Sequence, residues 1–216
     1  MSDNCVLLLS GGIDSVVLAY WATKNKYQIK ESLFVNYGQD SLDREMYCAR
    51  RTALALDIPL QIVDMSGTRQ LFWGLLPGKY HAFMAEAASP RGNHCNDGII
   101  AWAVAALYSI LKGTPNLMAG VQGDDLGRGG NFLEFKEYFE KALSAQHSVD
   151  FHFITPFVDK SKAEVIRIGS ELGVPFEETW ACQSGLYTHC GQCSGCNKRK
   201  EAFLKAKVSD TVIFSV

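Results

Sequence analysis

The sequence predicts an α/β fold, a Rossmann-like, doubly wound parallel sheet. Three observations lead to this prediction. Short apolar runs alternate with segments of helical periodicity along the 216 residues, as in repeated βαβ units. The first run is apolar at every position, which is typical of a buried parallel strand. A glycine-rich turn follows it at the carboxyl end of the strand, where sheets of this kind bind their ligands.

The N-terminal half supplies three strands and two helices. CVLLL (5–9) is a continuous apolar run, and residues 14–23 then have the pattern of a helix. SLFVNY (32–37) is the second strand. Residues 40–56 predict a helix because their apolar side chains recur on one side at helical spacing. PLQIVDM (59–65) is the third predicted strand.

The C-terminal half continues the alternation after residues 66–96, which contain no clear long element. The predicted elements are helices over 97–111, 131–145 and 162–172, and strands over 116–122 and 151–156. The first of these helices is hydrophobic on nearly every side. Because the chain contains no internal repeat, low-complexity tract or linker, we expect one domain over residues 1–216.

Composition and charge exclude several classes of protein. Hydrophobic residues make up 47% and the net charge is −2, so the chain is neither disordered nor strongly basic, and we do not expect nucleic acid as a partner. The N-terminus has no basic region before a short apolar run, and the longest apolar stretch is too short to span a bilayer. We therefore expect a cytoplasmic protein whose seven cysteines are not paired as disulfides.

The turn SGGIDS (10–15) has the features of a phosphate-binding loop. Its two glycines allow backbone N–H groups to approach an anion, and the following helix adds its positive end. Its two serines can donate hydrogen bonds to phosphate oxygens. Asp14 would either hold a Mg²⁺ that bridges phosphates or cap the helix. The turn matches neither the Walker A pattern nor the dinucleotide pattern G-x-G-x-x-G.

Four cysteines near the C-terminus have the spacing of a metal site. Cys182, Cys190, Cys193 and Cys196 follow the pattern C-x7-C-x2-C-x2-C. Four thiolates at this density can complete a tetrahedral zinc site, which would be structural because no position remains for a catalytic water. An iron–sulfur cluster and unligated thiols are the alternatives. The zinc-binding segment would cover about residues 180–205 and lie against the ligand edge of the sheet.

The turn SGGIDS resembles the PP-loop of the N-type ATP pyrophosphatases. Together with the cysteine spacing, it resembles the QueC family of 7-cyano-7-deazaguanine synthases. Further segments similar to QueC cover most of the chain: VNYGQ (35–39), TPF (155–157), SKAEV (161–165), LGVPFEETWAC (172–182) and HCGQCSGC…EAF (189–203).

The resemblance implies an ATP-dependent C–N ligase that forms AMP and pyrophosphate. QueC adenylates the carboxylate of 7-carboxy-7-deazaguanine, converts it to the amide with ammonia, and uses a second ATP to reach the nitrile. The resemblance also implies a homodimer with structural Zn²⁺. The ATP-binding positions carried over to this sequence are Leu9, Ser10, Gly11, Gly12, Ile13, Asp14, Ser15 and Lys162. Asp14 and Lys162 would be catalytic, although Lys162 has the alternative of a solvated lysine in the first turn of a helix.

Two segments depart from the family pattern, at SPRGNHCNDG (89–98) and GVQGDDLGRGGNF (120–132). Substrate selectivity is expected to lie here, because the activation machinery is retained. The candidate substrate-binding residues are Arg91, Asn93, Asp124, Asp125 and Arg128. The alternative for the second segment is a solvated loop.

Three other functions remain open. The altered middle of the chain also suits QueC-like proteins of anti-phage operons such as type IV CBASS, in which the activated deazaguanine would be coupled to a protein N-terminus. A tRNA-modifying PP-loop enzyme would adenylate a base instead. A non-catalytic module would bind zinc or nucleotide without turnover.

Overall fold

Five parallel strands form a single sheet at the centre of the molecule. The structure, a computed structural model, describes residues 4–68, 97–125 and 131–215. The strands lie in the order β3-β2-β1-β4-β5 and span β1 Asn4–Leu8, β2 Gln28–Asn36, β3 Leu60–Asp64, β4 Asn116–Met118 and β5 His152–Ile154. This order confirms the predicted doubly wound sheet, with its switch point between β1 and β4.

Helices cover both faces of the sheet. In chain order, the helices of the described residues are α1 Ile13–Lys24, α2 Leu42–Ala55, α3 Asp97–Leu111, α4 Phe132–His147, α5 Lys162–Glu171 and α6 Ser194–Ala206. The core on one face contains residues of α1, α2, α5 and α6, and the core on the other contains residues of α3 and α4. Because β1 lies at the centre, Cys5, Val6 and Leu7 are buried, as their continuous apolar run predicts.

Strands β3, β4 and β5 are shorter than predicted, and β4 differs most. The sequence predicts a strand over 116–122, but β4 ends at Met118. Ala119 N–H still donates to Ile154 O at 3.1 Å, a normal hydrogen-bond distance. The chain then passes so close to α1 that a Cβ on Gly120 would lie 2.8 Å from the carbonyl carbon of Asp14. The segment after β4 therefore lies beside the turn at 10–15.

One helix was missed by the sequence prediction. The side chains that α6 buries are Cys196, Arg199, Ala202, Phe203 and Ala206. Their spacing is helical, but it becomes apparent only when a cysteine and an arginine are counted as core residues. Among the described residues, no helix has both the length and the apolar character that crossing a membrane requires.

Candidate active site and metal centre

The PP-loop connects β1 to α1 at the carboxyl edge of the sheet. Gly11 has φ +75°, and a Cβ there would lie 2.2 Å from the backbone oxygen of Glu45 in α2. This position therefore requires glycine. Gly12 is the N-cap residue of α1, and no side chain accepts a capping hydrogen bond from this helix. The positive end of α1 is consequently available to an anion at the ligand edge.

The two serines of the loop have different environments. The buried Ser15 hydroxyl donates to Gly12 O (3.0 Å), and its oxygen accepts from Ser10 N–H (3.2 Å). Ser15 therefore shapes the loop, and its contact with phosphate stays a prediction. Ser10 is exposed, with its hydroxyl 3.1 Å from that of Ser15. The flanking Leu9 and Ile13 are buried, and they anchor the turn on both sides.

Asp14 and Lys162, the two predicted catalytic residues, form an ion pair. Lys162 Nζ lies 2.7 Å from Asp14 Oδ2, and the two side chains are 25% and 18% exposed. Lys162 is the first residue of α5, and its backbone N–H donates to Asp124 Oδ2 at 2.9 Å. The structure thus brings together residues from α1, α5 and the segment after β4. Lys162 is not the solvated lysine of the alternative interpretation.

The remaining substrate candidates are only partly described. Asp124 lies in a 3₁₀ turn, Gly123–Asp125, and Gln122 accepts its backbone N–H at 2.9 Å. The backbone of Asp125 belongs to the same turn. Arg91, Asn93 and Arg128 lie outside the described residues. A contact between these side chains and substrate stays a prediction.

The four predicted cysteines converge on one point. Their Sγ atoms all lie within 4.8 Å of one another. The pair Cys182–Cys193 is 3.8 Å apart and the pair Cys190–Cys196 is 4.0 Å apart. A tetrahedral site with metal–sulfur bonds of about 2.3 Å has sulfur–sulfur edges of about 3.8 Å. The donor set therefore fits one tetrahedral metal ion, and it is too compact for four cysteines that each bind a different iron of a cluster.

The backbone around the cysteines supports a charged metal site. The N–H groups of Cys190, Cys193 and Cys196 point at the sulfur atoms of preceding ligands, at 3.3–3.4 Å. Backbone N–H groups of Gln192 and Cys193 lower the pKa of the Cys190 thiol to about 6, which favours its thiolate. Gly195 leaves no room for a side chain, since a Cβ would lie 1.9 Å from Ala181 O.

The metal-binding segment and the PP-loop are in direct contact. Trp180 N–H donates to Gly11 O at 2.9 Å, and residues 12 and 180 form an isolated parallel bridge. This contact confirms that the segment lies against the ligand edge, whereas nothing in the sequence marks Trp180 or Gly120 as the residues in contact with the loop. No sequence motif marks either contact, because both are made by main-chain atoms.

Comparison with known proteins identifies the family. Residues 4–207 match the family model described as queuosine biosynthesis protein QueC. This chain belongs to the QueC family. It is 32% identical to the 7-cyano-7-deazaguanine synthase of Ruegeria sp. (strain TM1040), over 97% of this chain and 92% of the relative. It is also 34% identical to the 7-cyano-7-deazaguanine synthase of Methanoculleus marisnigri, over 97% of both chains.

Solved structures share the fold of this QueC chain at low sequence identity. The U34-tRNA thiolase NcsA of Methanococcus maripaludis, solved with its [4Fe-4S] cluster, is 20% identical with a TM-score of 0.55, and the match covers 92% of this chain and 63% of the thiolase. The NH₃-dependent NAD synthetase of Campylobacter jejuni is 18% identical with a TM-score of 0.52, over 81% and 66% of the two chains. These similarities support the doubly wound fold predicted for the chain.

Proposed function

We propose that this chain is an ATP-dependent synthase that adenylates the carboxylate of 7-carboxy-7-deazaguanine and releases pyrophosphate. Its membership of QueC and relatives named 7-cyano-7-deazaguanine synthase support the substrate class. The observation that carries the proposal is the end of α1. No side chain caps this helix, and Asp14 in its first turn is paired with Lys162 at the start of α5. An anion-binding helix end beside a lysine and a carboxylate suits a metal-bound polyphosphate.

The chemistry requires activation of a poor electrophile. The carboxylate oxygen attacks the α-phosphorus of ATP. The bond between the α-phosphorus and the oxygen that bridges it to the β-phosphorus breaks, and pyrophosphate leaves. Ammonia then attacks the acyl carbon, AMP departs with a carboxylate oxygen, and a proton is released to give the amide. A second ATP adenylates the amide oxygen, and loss of AMP and a proton yields the nitrile. No catalytic triad is needed, since ATP supplies the leaving group.

The chain's own residues bind and neutralise the departing pyrophosphate. The backbone of residues 11–15 and the end of α1 form the cradle, as in other helix-end anion sites. Lys162, which is paired with Asp14 at 2.7 Å, would instead bind a phosphate oxygen when ATP is present. Asp14 would then be the carboxylate that holds Mg²⁺, which takes one or two carboxylates together with substrate phosphates. The ion would supply further neutralisation of phosphate charge.

The metal of the four-cysteine site is proposed to be Zn²⁺. The sulfur spacing of 3.8–4.0 Å fits tetrahedral zinc, and all four corners are filled by Cys182, Cys190, Cys193 and Cys196. The ion would therefore be structural. Metal analysis of the purified protein tests this, and iron with acid-labile sulfide would contradict it.

A single reaction distinguishes the candidate functions. The protein is incubated with Mg²⁺, ATP and 7-carboxy-7-deazaguanine, with and without ammonia, and in parallel reactions with tRNA or with a candidate acceptor protein, and the nucleotides and product masses are measured. Deazaguanine-dependent AMP and a nitrile support the synthase. Amide without nitrile, together with a mass increase on a protein N-terminus, would indicate the anti-phage conjugase. AMP that requires tRNA would indicate a tRNA-modifying enzyme. No ATP turnover would indicate a binding module.

We also propose that the chain is one domain that forms a homodimer through α3. Ile99, Leu107 and Leu111 of this helix are 46%, 42% and 85% exposed, although they are large and apolar. Ile99 and Leu107 are eight residues apart and Leu107 and Leu111 are four residues apart, so the three side chains lie on one side of the helix. Light scattering should give twice the chain mass, and Leu107→Lys should reduce it toward the monomer.

A further inference from the structure

The PP-loop has a backbone support on each side of its first glycine. On one side, Gly11 lies against Glu45 of α2, where no Cβ can fit. On the other side, Gly11 O accepts the N–H of Trp180 at 2.9 Å. Trp180 is only two residues before Cys182, the first cysteine of the metal site. The orientation of the Gly11 peptide therefore depends on a residue at the edge of the metal site.

The indole ring of Trp180 is part of the metal-binding segment. It is 4% exposed and packs with Cys48, Cys182 and Cys196 in one buried cluster. Its Nε1–H donates to Cys182 O at 2.7 Å, so the ring is bonded to a ligand residue.

Two further side chains fix the plane of the ring. His189, which immediately precedes Cys190, has its ring centroid 4.1 Å from that of Trp180. The Arg44 guanidinium lies 4.9 Å from the centroid of the Trp180 ring, within the range of a cation–π contact. The first of these neighbours belongs to the metal-binding segment and the second to α2. The ring thus lies between the two supports of the loop.

A buried arginine holds the residues that lead into Trp180. Arg199 is fully buried and lies three residues after Cys196 on α6. It donates to Thr179 O at 3.2 Å and to Phe176 O at 2.8 Å, and both of its ion-pair contacts with Asp210 are 2.8 Å. The position of Trp180 is therefore set from both sides by elements that carry the metal ligands.

We propose that Trp180 is a positioning residue that couples occupancy of the metal site to ATP binding at the PP-loop. A bound metal cross-links the four sulfur atoms and keeps the indole ring and the Trp180 N–H in place. Without it, the segment loses its cross-link, and the Gly11 peptide loses its support on that side. The inference rests on the proposed function, because it takes residues 10–15 as the ATP site.

Thermodynamic linkage makes the proposal testable from either site. If the metal strengthens ATP binding by some factor, ATP must strengthen metal binding by the same factor. Couplings between sites typically amount to 5–150-fold, and we expect about tenfold here. A residue that only stabilises the fold would lower the melting temperature without changing this factor.

The experiment measures metal affinity with and without nucleotide. Zinc-loaded protein is titrated with a chelator of known affinity, in the absence and presence of a saturating ATP analogue with a methylene group between the α- and β-phosphates. The wild-type protein should hold zinc about tenfold more tightly with the analogue. Trp180→Ala should reduce the factor to less than about twofold, because the backbone N–H remains but the ring that orients it is lost.

Trp102→Ala is the matched control. Trp102 packs against Phe132, Phe135 and Phe153 on the other face of the sheet, so its removal should cost stability and leave the coupling at the wild-type value. If Trp180→Ala does not fold, Trp180→Phe keeps an aromatic ring, although a smaller one, and removes the Nε1–H bond to Cys182 O. It should give a coupling below that of the wild type.

Each result bears on a different part of the account. A wild-type protein that binds the analogue but holds zinc equally tightly with and without it would overturn the coupling alone. So would a Trp180 variant that keeps the full wild-type factor. A wild-type protein that binds zinc but shows no affinity for the analogue in a direct binding measurement would instead overturn the proposed function.

Discussion

The PP-loop and the metal-binding segment are both short stretches of sequence, but they obtain their binding groups in opposite ways. The PP-loop binds through its backbone, so it depends on the absence of a side chain at Gly11. The metal-binding segment binds through sulfur atoms, so it depends on the presence of four cysteines. A substitution in the first region should therefore act through steric exclusion, and one in the second through loss of a ligand. The two regions meet at the hydrogen bond from Trp180 to Gly11.

Loss of a metal ligand should have the largest effect on the molecule. Cys193→Ser removes one sulfur from the tetrahedral set, and we expect loss of bound zinc and a stability loss on the order of 5 kcal/mol, because metal-binding energy is folding energy. Metal analysis and chemical denaturation measure both. Cys48→Ala is the control, since Cys48 is buried beside the site but is not among the four ligands. Full zinc content in Cys193→Ser would refute the ligand assignment.

A methyl group at Gly11 should have the next largest effect. Gly11→Ala places a Cβ 2.2 Å from Glu45 O at φ +75°, and we expect a loss of roughly 3 kcal/mol together with loss of ATP binding. Gly113→Ala separates the two causes, because Gly113 has φ +68° but no atom within 4 Å of a Cβ. It should lose about 1 kcal/mol from backbone strain alone. Equal losses in the two variants would show that the close approach to α2 is unimportant.

Removal of the Asp14 carboxylate should affect chemistry more than folding. We expect Asp14→Ala to lower the rate of deazaguanine-dependent AMP formation by about 10²–10³-fold, the usual cost of removing one group that stabilises transition-state charge. The melting temperature should change little. Asp150→Ala, at the opposite edge of the sheet beside His152, should leave the rate unchanged. A rate within a few-fold of the wild type in Asp14→Ala would exclude Asp14 from the reaction.

The Glu45 side chain should have the smallest effect, because it is the backbone oxygen of Glu45 that lies against Gly11. Burial raises the pKa of the Glu45 carboxyl above its ordinary value of 4.5. The free energy of unfolding of the protein therefore falls as the pH rises through that raised pKa, because the buried carboxyl must ionise. Glu45→Gln has no such loss, and it should be slightly more stable than the wild type at pH 7 but not at pH 4. Thermal unfolding at the two pH values measures this. ATP affinity should not change, and a large change would show that the carboxyl itself supports the loop.

The sequence predicted the parts of the molecule that depend on contiguous residues. The sheet, most of its helices and the position of SGGIDS between β1 and α1 all follow from local apolar patterns. The convergence of Cys182, Cys190, Cys193 and Cys196 also follows, because short spacing leaves the chain few ways to arrange four metal ligands. In each case the signal lies within a short segment, so no knowledge of distant contacts is needed.

The contacts between distant segments could not be predicted in the same way. The approach of Gly120 to Asp14 and the bond from Trp180 to Gly11 join residues more than 100 positions apart. Neither leaves a local pattern, since a glycine or a tryptophan has many possible roles. The helix α6 was missed for a related reason: Arg199 occupies a core position and is compensated by Asp210 and two carbonyl groups from other segments. Sequence periodicity treats such an arginine as a surface residue.

The most direct test of the central claim follows the carboxylate oxygen. 7-Carboxy-7-deazaguanine labelled with ¹⁸O in both carboxylate oxygens is incubated with the zinc-loaded protein, Mg²⁺, ATP and ammonia, and AMP is analysed by mass spectrometry. We predict that AMP carries one ¹⁸O atom, because the oxygen that attacks the α-phosphorus leaves with the nucleotide. Unlabelled AMP, or ADP as the nucleotide product, would contradict it.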